Sequence, residues 1–215
     1  MRRALQVKPG VTPTRGQRCG CQNEMKKSIL LNGLLVGEYE ATGDPEQDIV
    51  LMNEFLKAKG LYRERTTAQA TFMQALAFCR TAATIYERDL TGPNRHGPSA
   101  APFVVNAAFS IELYLKTLHE LAGKGVRGHD LLKLLDALSA EHQGSVLRCA
   151  QKHAPSYQVP VPSADSFRSI VASLATAFVD WRYWHESGHT GLVDIQPTIL
   201  LLKALDEACR EHGAA

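Results

Sequence analysis

Long apolar runs are missing from this sequence. Nowhere do its 215 residues supply the roughly 18 consecutive apolar positions that a membrane-crossing helix needs. The N-terminus is basic but lacks the apolar segment of a signal peptide, so no membrane association and a cytoplasmic location are expected. An excess of either charge is missing too: 24 Lys and Arg against 22 Asp and Glu leave a net charge of +2, which by itself calls for no polyelectrolyte partner. Cysteine is sparse and odd in number. Of the five, Cys79, Cys149 and Cys209 fall inside helix-like patterns and read as small core or boundary residues. Cys19 and Cys21 form a Cys-x-Cys that no second pair or nearby histidine completes into a zinc site. There is no Gly-x-Ser-x-Gly elbow, no His-Glu-x-x-His and no phosphate-binding glycine loop, which removes the hydrolases that depend on them. No repeat of 20 to 50 residues is present, which excludes a solenoid.

What is present is mostly helical patterning behind a short N-terminal module. Residues 1–24, rich in Arg, Gly, Pro and Gln, show almost no periodicity and are expected to be a disordered or loosely attached extension. Residues 25–62 read as a ββα module. Ile29-Leu30-Leu31 and Leu34-Leu35-Val36 flank Asn32-Gly33, a type I′ turn pair. Asp44 then caps a helix with Pro45 in its first turn and Gln47 at capping-box spacing. Ile49, Val50, Met52, Phe55 and Leu56 give that helix an inward stripe as far as Gly60.

Residues 66–212 read as an antiparallel helical bundle, making the chain mainly α. Thr67–Leu90 places Phe72, Leu76, Cys79, Ala83 and Tyr86 inward, and Ala101–Ala122 places Val104, Ala108, Ile111, Leu115 and Leu118 inward. Gly123–Gly128 interrupts, and Leu131 to Leu138 marks a short helix. A further helix is expected over Val146–His153, and Ala154–Pro162, with three prolines, as loop. Ser163-x-x-Ser166 opens a helix running to Glu186, and the last helix covers Gln196–His212.

The densest chemistry lies in Arg182-Tyr183-Trp184-His185-Glu186-Ser187-Gly188-His189. Arg182 offers a fixed fork of N–H donors suited to a phosphate, and a nearby histidine can move a proton near neutral pH. On a helix Phe178, Arg182, His185 and His189 share one face. The same residues also suit a plain structural role, with Arg182 held by Glu186 one turn on or by Glu112 from the earlier long helix. Glu112 and Lys116, one turn apart, can pair with each other, and His129 reads as a cap or loop anchor. His96, His119, His142, His153 and His212 have no partner at useful spacing and are expected to be solvated.

Two of these segments carry a resemblance. Phe109-Ser110-Ile111-Glu112-Leu113-Tyr114-Leu115-Lys116 followed by Gly128-His129-Asp130-Leu131 resembles the HEPN superfamily, in which a Glu-x-x-x-Lys helix precedes a Gly-His-x-Leu turn into a leucine-rich helix. Phe178-Val179-Asp180-Trp181-Arg182-Tyr183 with Glu186 resembles the Phe-x-x-Trp-Arg-Tyr-x-x-Glu signature of one HEPN branch. The likeness spans about residues 66–210 and leaves the ββα module outside. HEPN ribonucleases carry an Arg, four to six residues, then a His, and Arg182 and His189 enclose six. The resemblance implies a homodimer whose two motifs meet in one cleft, acting without cofactor or metal as an endoribonuclease of a defence or toxin–antitoxin type. Arg182 and His189 would be catalytic, with Glu112, Tyr183, His185 and Glu186 supporting, and an antitoxin or other defence-system protein as a partner. The alternative is a non-catalytic HEPN-like domain whose groove holds RNA or a nucleotide, or whose helical face docks a protein.

The segment Met25-Lys26-Lys27-Ser28 looks like a natural translation start. A chain beginning at Met25 is expected to keep the helix content and thermal midpoint of the full chain, within a degree or two by circular dichroism.

Overall fold

The computed structural model describes residues 25–31, 33–175 and 193–214. The expectation for residues 1–24, and the expected helix beyond position 175, lie outside them. The chain forms two compact units, Met1–Glu64 and Arg65–Ala215. It is mainly helical, with one small antiparallel sheet at its N-terminal end. No helix among the described residues is long and apolar enough to cross a membrane.

In the first unit, strands β1 (Met25–Leu31) and β2 (Leu34–Ala41) pair antiparallel, with Leu31 opposite Leu34, so the connection is the two-residue loop expected. Gly33 there adopts φ +80°. The register shifts between Ile29 and Leu30, where Ile29 faces Gly37 and Leu30 faces Leu35, so Val36 is the extra residue of a bulge. Helix α1 (Pro45–Ala58) packs its Phe55 ring against Gly37 so closely that a Cβ there would lie 2.2 Å from the ring. Only a glycine lets the helix sit that near the strand.

Two expectations for α1 are corrected. Asp44 does cap it, but its side chain accepts from the Glu46 amide at 2.9 Å, without the Gln47 capping box. Ile49 and Val50 are exposed, while Asp48 is buried. Asp48 faces inward because it closes the module: Lys27 of β1 donates to it at 2.7 Å, and the Thr42 amide and hydroxyl at 2.6 and 3.0 Å. The Lys27 ammonium and these donors hold its carboxyl below the ordinary range. A buried charge with its partners thus takes the place that an apolar stripe would have filled. The helix ends in a Schellman pattern, with the Gly60 amide on Lys57 O and the Leu61 amide on Leu56 O.

The second unit is built around α3 (Ala100–Leu121), which is buried along almost its whole circumference. Beside it runs α2 (Thr67–Ile85), extended by a π-helical turn over Tyr86–Leu90. Thr66 and Gln69 form a reciprocal capping box at its start, with both bonds at 3.2 Å. The buried face of α2 is Ala68, Phe72, Ala75 and Ala82, and Ala83, expected inward, is exposed. The rotation has a clear cause. The alanines let α2 lie close to α3, so Ser110 donates to the Ala75 carbonyl at 2.8 Å and Phe72 meets the Tyr114 ring at 5.9 Å. These pairs, with Tyr86 against Phe103, run in opposite directions along the two helices, so the pair is antiparallel.

Helix α4 (Leu131–Asp136) follows the expected glycine break, with Asp130 as its cap. Helix α5 (Ala140–His153) starts six residues earlier than expected, because Ser139 caps it by accepting from the His142 amide and Gly144 is tolerated inside. The expected loop after it opens with a 3-10 turn over Ala154–Tyr157. Helix α6 (Ala164–Leu174) is capped by Ser163 and joined to α4 by a bidentate Arg168–Asp136 pair at 3.0 and 2.7 Å. Helix α7 (Ile195–Glu211) buries Leu202, Leu205 and Cys209 against the core, as expected.

The closeness of α2 to α3 yields a test. Ala75→Leu is expected to destabilise the chain by about 1–3 kcal/mol through overpacking, and Ala77→Leu, on the exposed side of α2, by no more than about 0.5 kcal/mol. Urea unfolding of both variants measures the difference.

Candidate functional site

Of the six residues singled out by sequence, the described structure contains Glu112. Arg182, Tyr183, His185, Glu186 and His189 lie outside the described residues. Glu112 sits midway along α3 and is buried. A buried carboxylate needs partners, and its Oε1 takes two. Lys116, one turn on, approaches at 2.8 Å, and the His129 Nδ1 at 3.0 Å. The Glu112–Lys116 pair is the one the spacing predicts. His129 acts as a loop anchor, while capping of α4 falls to its neighbour Asp130, which accepts from the Leu132 and Lys133 amides at 3.1 Å each. The Gly123–Gly128 connection is therefore pinned to the middle of α3, and most of the His129 side chain faces solvent.

The expectation that the other histidines are solvated fails for His119, His142 and His153, whereas His96 is exposed. His119 is buried on α3, its Nε2 within 2.9 Å of the Leu134 carbonyl, which ties α3 to α4. His96 Nδ1 lies 2.9 Å from the Ser99 hydroxyl. His153 contacts Glu207. His142 is buried with no hydrogen-bond partner for Nδ1, and its ring meets His212 edge-on at 4.3 Å. Loss of solvation, followed by the neighbouring His212, pushes the His142 pKa below its ordinary value. Sequence spacing missed the partners of His119, His142 and His153 because each comes from a different element of the fold, whereas Ser99 stands three residues from His96.

A second charged cluster lies where α5 crosses α7. Glu207 takes Lys152 at 2.5 Å as well as His153, and these two hold its carboxyl down at about 2. Glu211 takes Arg148 at 2.5 Å and the Ser145 hydroxyl at 3.0 Å. Cys149, buried beside them, lies 3.8 Å from a Glu211 oxygen. Two i, i+4 spacings, Cys149/His153 and Glu207/Glu211, were the signal in the sequence that could have exposed it.

Elsewhere a cleft of about 290 Å³ opens beside α2 and α7, walled by Leu76, Ala83, Phe103, Tyr157, Ile199 and Leu202. It is chiefly apolar, and the carboxylate at its edge, Asp206, is taken by Arg210 at 3.1 Å. Comparison with protein families, with characterised proteins and with solved structures finds no match to this chain.

The buried imidazole sets a pH dependence. Because the folded state depresses the pKa of His142, the unfolded chain takes up a proton first, from near the ordinary value of about 6.5. Stability is therefore complete above that pH and declines as pH falls below it. Denaturant unfolding at pH 7.5 and pH 5.5 is expected to show a smaller decline for His142→Phe than for the parent; equal declines would refute it.

Proposed function

We propose that the helical unit is a HEPN-like, metal-independent endoribonuclease of a defence or toxin–antitoxin type, acting as a homodimer with Arg182 and His189 as its catalytic pair. The observation that carries this reading is the Glu112 junction. The Glu-x-x-x-Lys segment and the Gly-His-x-Leu turn stand 17 residues apart at Glu112 and His129, yet they meet at a single buried oxygen. Contact between these two motifs is what a shared structural purpose would produce. A buried glutamate in mid-helix is also the kind of group that can orient a guanidinium arriving from a later helix.

In this mechanism His189 takes the proton of an RNA 2′-OH as that oxygen attacks the adjacent phosphorus. The new bond to the 2′ oxygen forms as the bond to the 5′ oxygen breaks, and the departing oxygen takes a proton from solvent, giving a 2′,3′-cyclic phosphate and a 5′-hydroxyl end. Arg182 stabilises the charge that gathers on the phosphoryl oxygens. Glu112 and Glu186 orient Arg182, while His185 shares the helical face of Arg182 and Tyr183 stands beside it in the chain as a further support. RNA is the substrate, and an antitoxin or other defence-system protein in the cytoplasm is the natural restraint on such an activity.

His189→Ala is expected to lower RNA cleavage at least ~100-fold while circular dichroism and dimer mass by light scattering stay unchanged. Arg182→Ala is expected to lose cleavage and weaken RNA binding together. A His189→Ala protein that cleaves as well as the parent ends the nuclease reading. Should neither protein cleave, RNA or nucleotide binding that survives His189→Ala and weakens with Arg182→Ala would identify the non-catalytic alternative.

A further inference from the structure

The crossing of α5 and α7 brings together four side chains that no part of the proposed reaction uses. Cys149 and His153 stand one turn apart on α5, and Glu207 and Glu211 one turn apart on α7. Spacing of i, i+4 puts each pair on one helical face. The contacts run in opposite directions, Ser145 and Cys149 with Glu211, Lys152 and His153 with Glu207, so the helices are antiparallel and the two faces oppose each other. The Cys149 sulfur and one oxygen each of Glu207 and Glu211 lie within 4.8 Å of one another, and His153 Nε2 is in contact with Glu207.

We propose that Cys149, His153, Glu207 and Glu211 form a structural site for a zinc-like divalent cation that fastens α5 to α7. The donor set is a thiolate, an imidazole and two carboxylates, which suits a borderline ion such as zinc. In a tetrahedral zinc site, bond lengths of about 2.0–2.3 Å put neighbouring donors roughly 3.3–3.8 Å apart. The Cys149, Glu207 and Glu211 donors, within 4.8 Å of one another, stand up to about 1–1.5 Å wider than that. Facing helices of a bundle are a common place to assemble such ligands. Ser145 already supplies the outer support a liganding carboxylate needs, donating to Glu211 at 3.0 Å.

Two features decide between a metal site and a plain ion-pair network. Arg148 and Lys152 balance the carboxylates in the metal-free protein, but both side chains are 64% exposed. Exposed ion pairs of this kind are worth about 0–1 kcal/mol, so a divalent ion displaces them at little cost while they remain close enough to offset the extra negative charge. Cys149 is 1% exposed and stands where the hydrophobic core meets the network, its sulfur 3.8 Å from a Glu211 oxygen, so a thiol is at hand for an ion held by the carboxylates. Coordination forms one metal–sulfur bond and releases one proton from the thiol to solvent. With four protein ligands and no open position, the ion holds the fold together and is separate from the Arg182–His189 reading. The exposed edge of Glu211 gives it an entry path.

The test uses the full chain carrying Cys19→Ser and Cys21→Ser, so that the N-terminal Cys-x-Cys cannot contribute, stripped with chelator and titrated with cobalt(II). One equivalent per chain is expected, with the near-ultraviolet thiolate charge-transfer band and the strong visible bands of four-coordinate cobalt, both bleached by zinc. Cys149→Ser is expected to remove the charge-transfer band, and His153→Ala and Glu211→Gln to weaken zinc binding at least ~10-fold. Cys79→Ser should leave the spectrum unchanged. Zinc is also expected to raise the thermal midpoint of the parent and not of His153→Ala, which is read independently of the sulfur. A parent that shows no thiolate band, or a band that persists in Cys149→Ser, overturns the site.

Discussion

Almost complete burial of α3 is the constraint on which the helical unit depends. A helix with one wet face can leave its polar side chains to water, but one enclosed on nearly every side cannot. Most polar groups buried on α3 have partners, drawn from α3 itself and from neighbouring elements, while the Tyr114 hydroxyl is buried without one. Ser110 takes the Ala75 carbonyl of α2, and His119 the Leu134 carbonyl of α4. Thr117 turns back to its own Leu113 carbonyl, and Glu112 gathers Lys116 and His129. The hydrophobic core supplies most of the favourable free energy. The Ser110 and His119 bonds help fix which helix stands beside which stretch of α3, since a shift there would leave a buried donor or acceptor unpaired.

The same constraint explains what the sequence made legible. Apolar periodicity located the helices because burial against α3 repeats every turn, and the α3 stripe of Val104, Ala108, Ile111, Leu115 and Leu118 is buried throughout. Where the stripe is made of alanine it misleads. On α2 Phe72 is buried as expected, but the buried alanines at positions 75 and 82 stand one position before Leu76 and Ala83, which were read as inward. On α1 the failure has another origin. The inward position went to Asp48, since a strand, a turn and a helix had to be joined in a module too small for a large apolar core.

Long-range polar pairs were the least legible part. Asp48 with Lys27 is 21 residues apart, Arg168 with Asp136 is 32, and His153 with Glu207 is 54. Nothing local marks such residues as partners, and a histidine that binds a distant carboxylate looks the same in sequence as one in water. The candidate site divides along this line. Glu112 and Lys116 are one helical turn apart and could be paired from spacing, whereas the anchoring of His129 to the same oxygen required the fold. Arg182 and His189 rest on a motif alone, and their placement lies outside the described residues.

Rigidity joins the two ends of the helical unit. The Gly123–Gly128 connection would be free to wander were it not held at His129, and α4 would lose its start with it. Because α4 is also bound to α6 through Asp136 and Arg168, polar contacts tie α3, α4 and α6 together in sequence. A charge at the Glu112 junction, instead of an apolar contact, adds directional bonds there. Charge at the α5–α7 crossing has the corresponding role at the other end. It sets α7 against α5 at Glu207 and Glu211, while Cys209 between them donates to the Tyr114 carbonyl of α3 at 3.5 Å. Both clusters join neighbouring segments, and both do so with groups whose geometry is stricter than that of leucine.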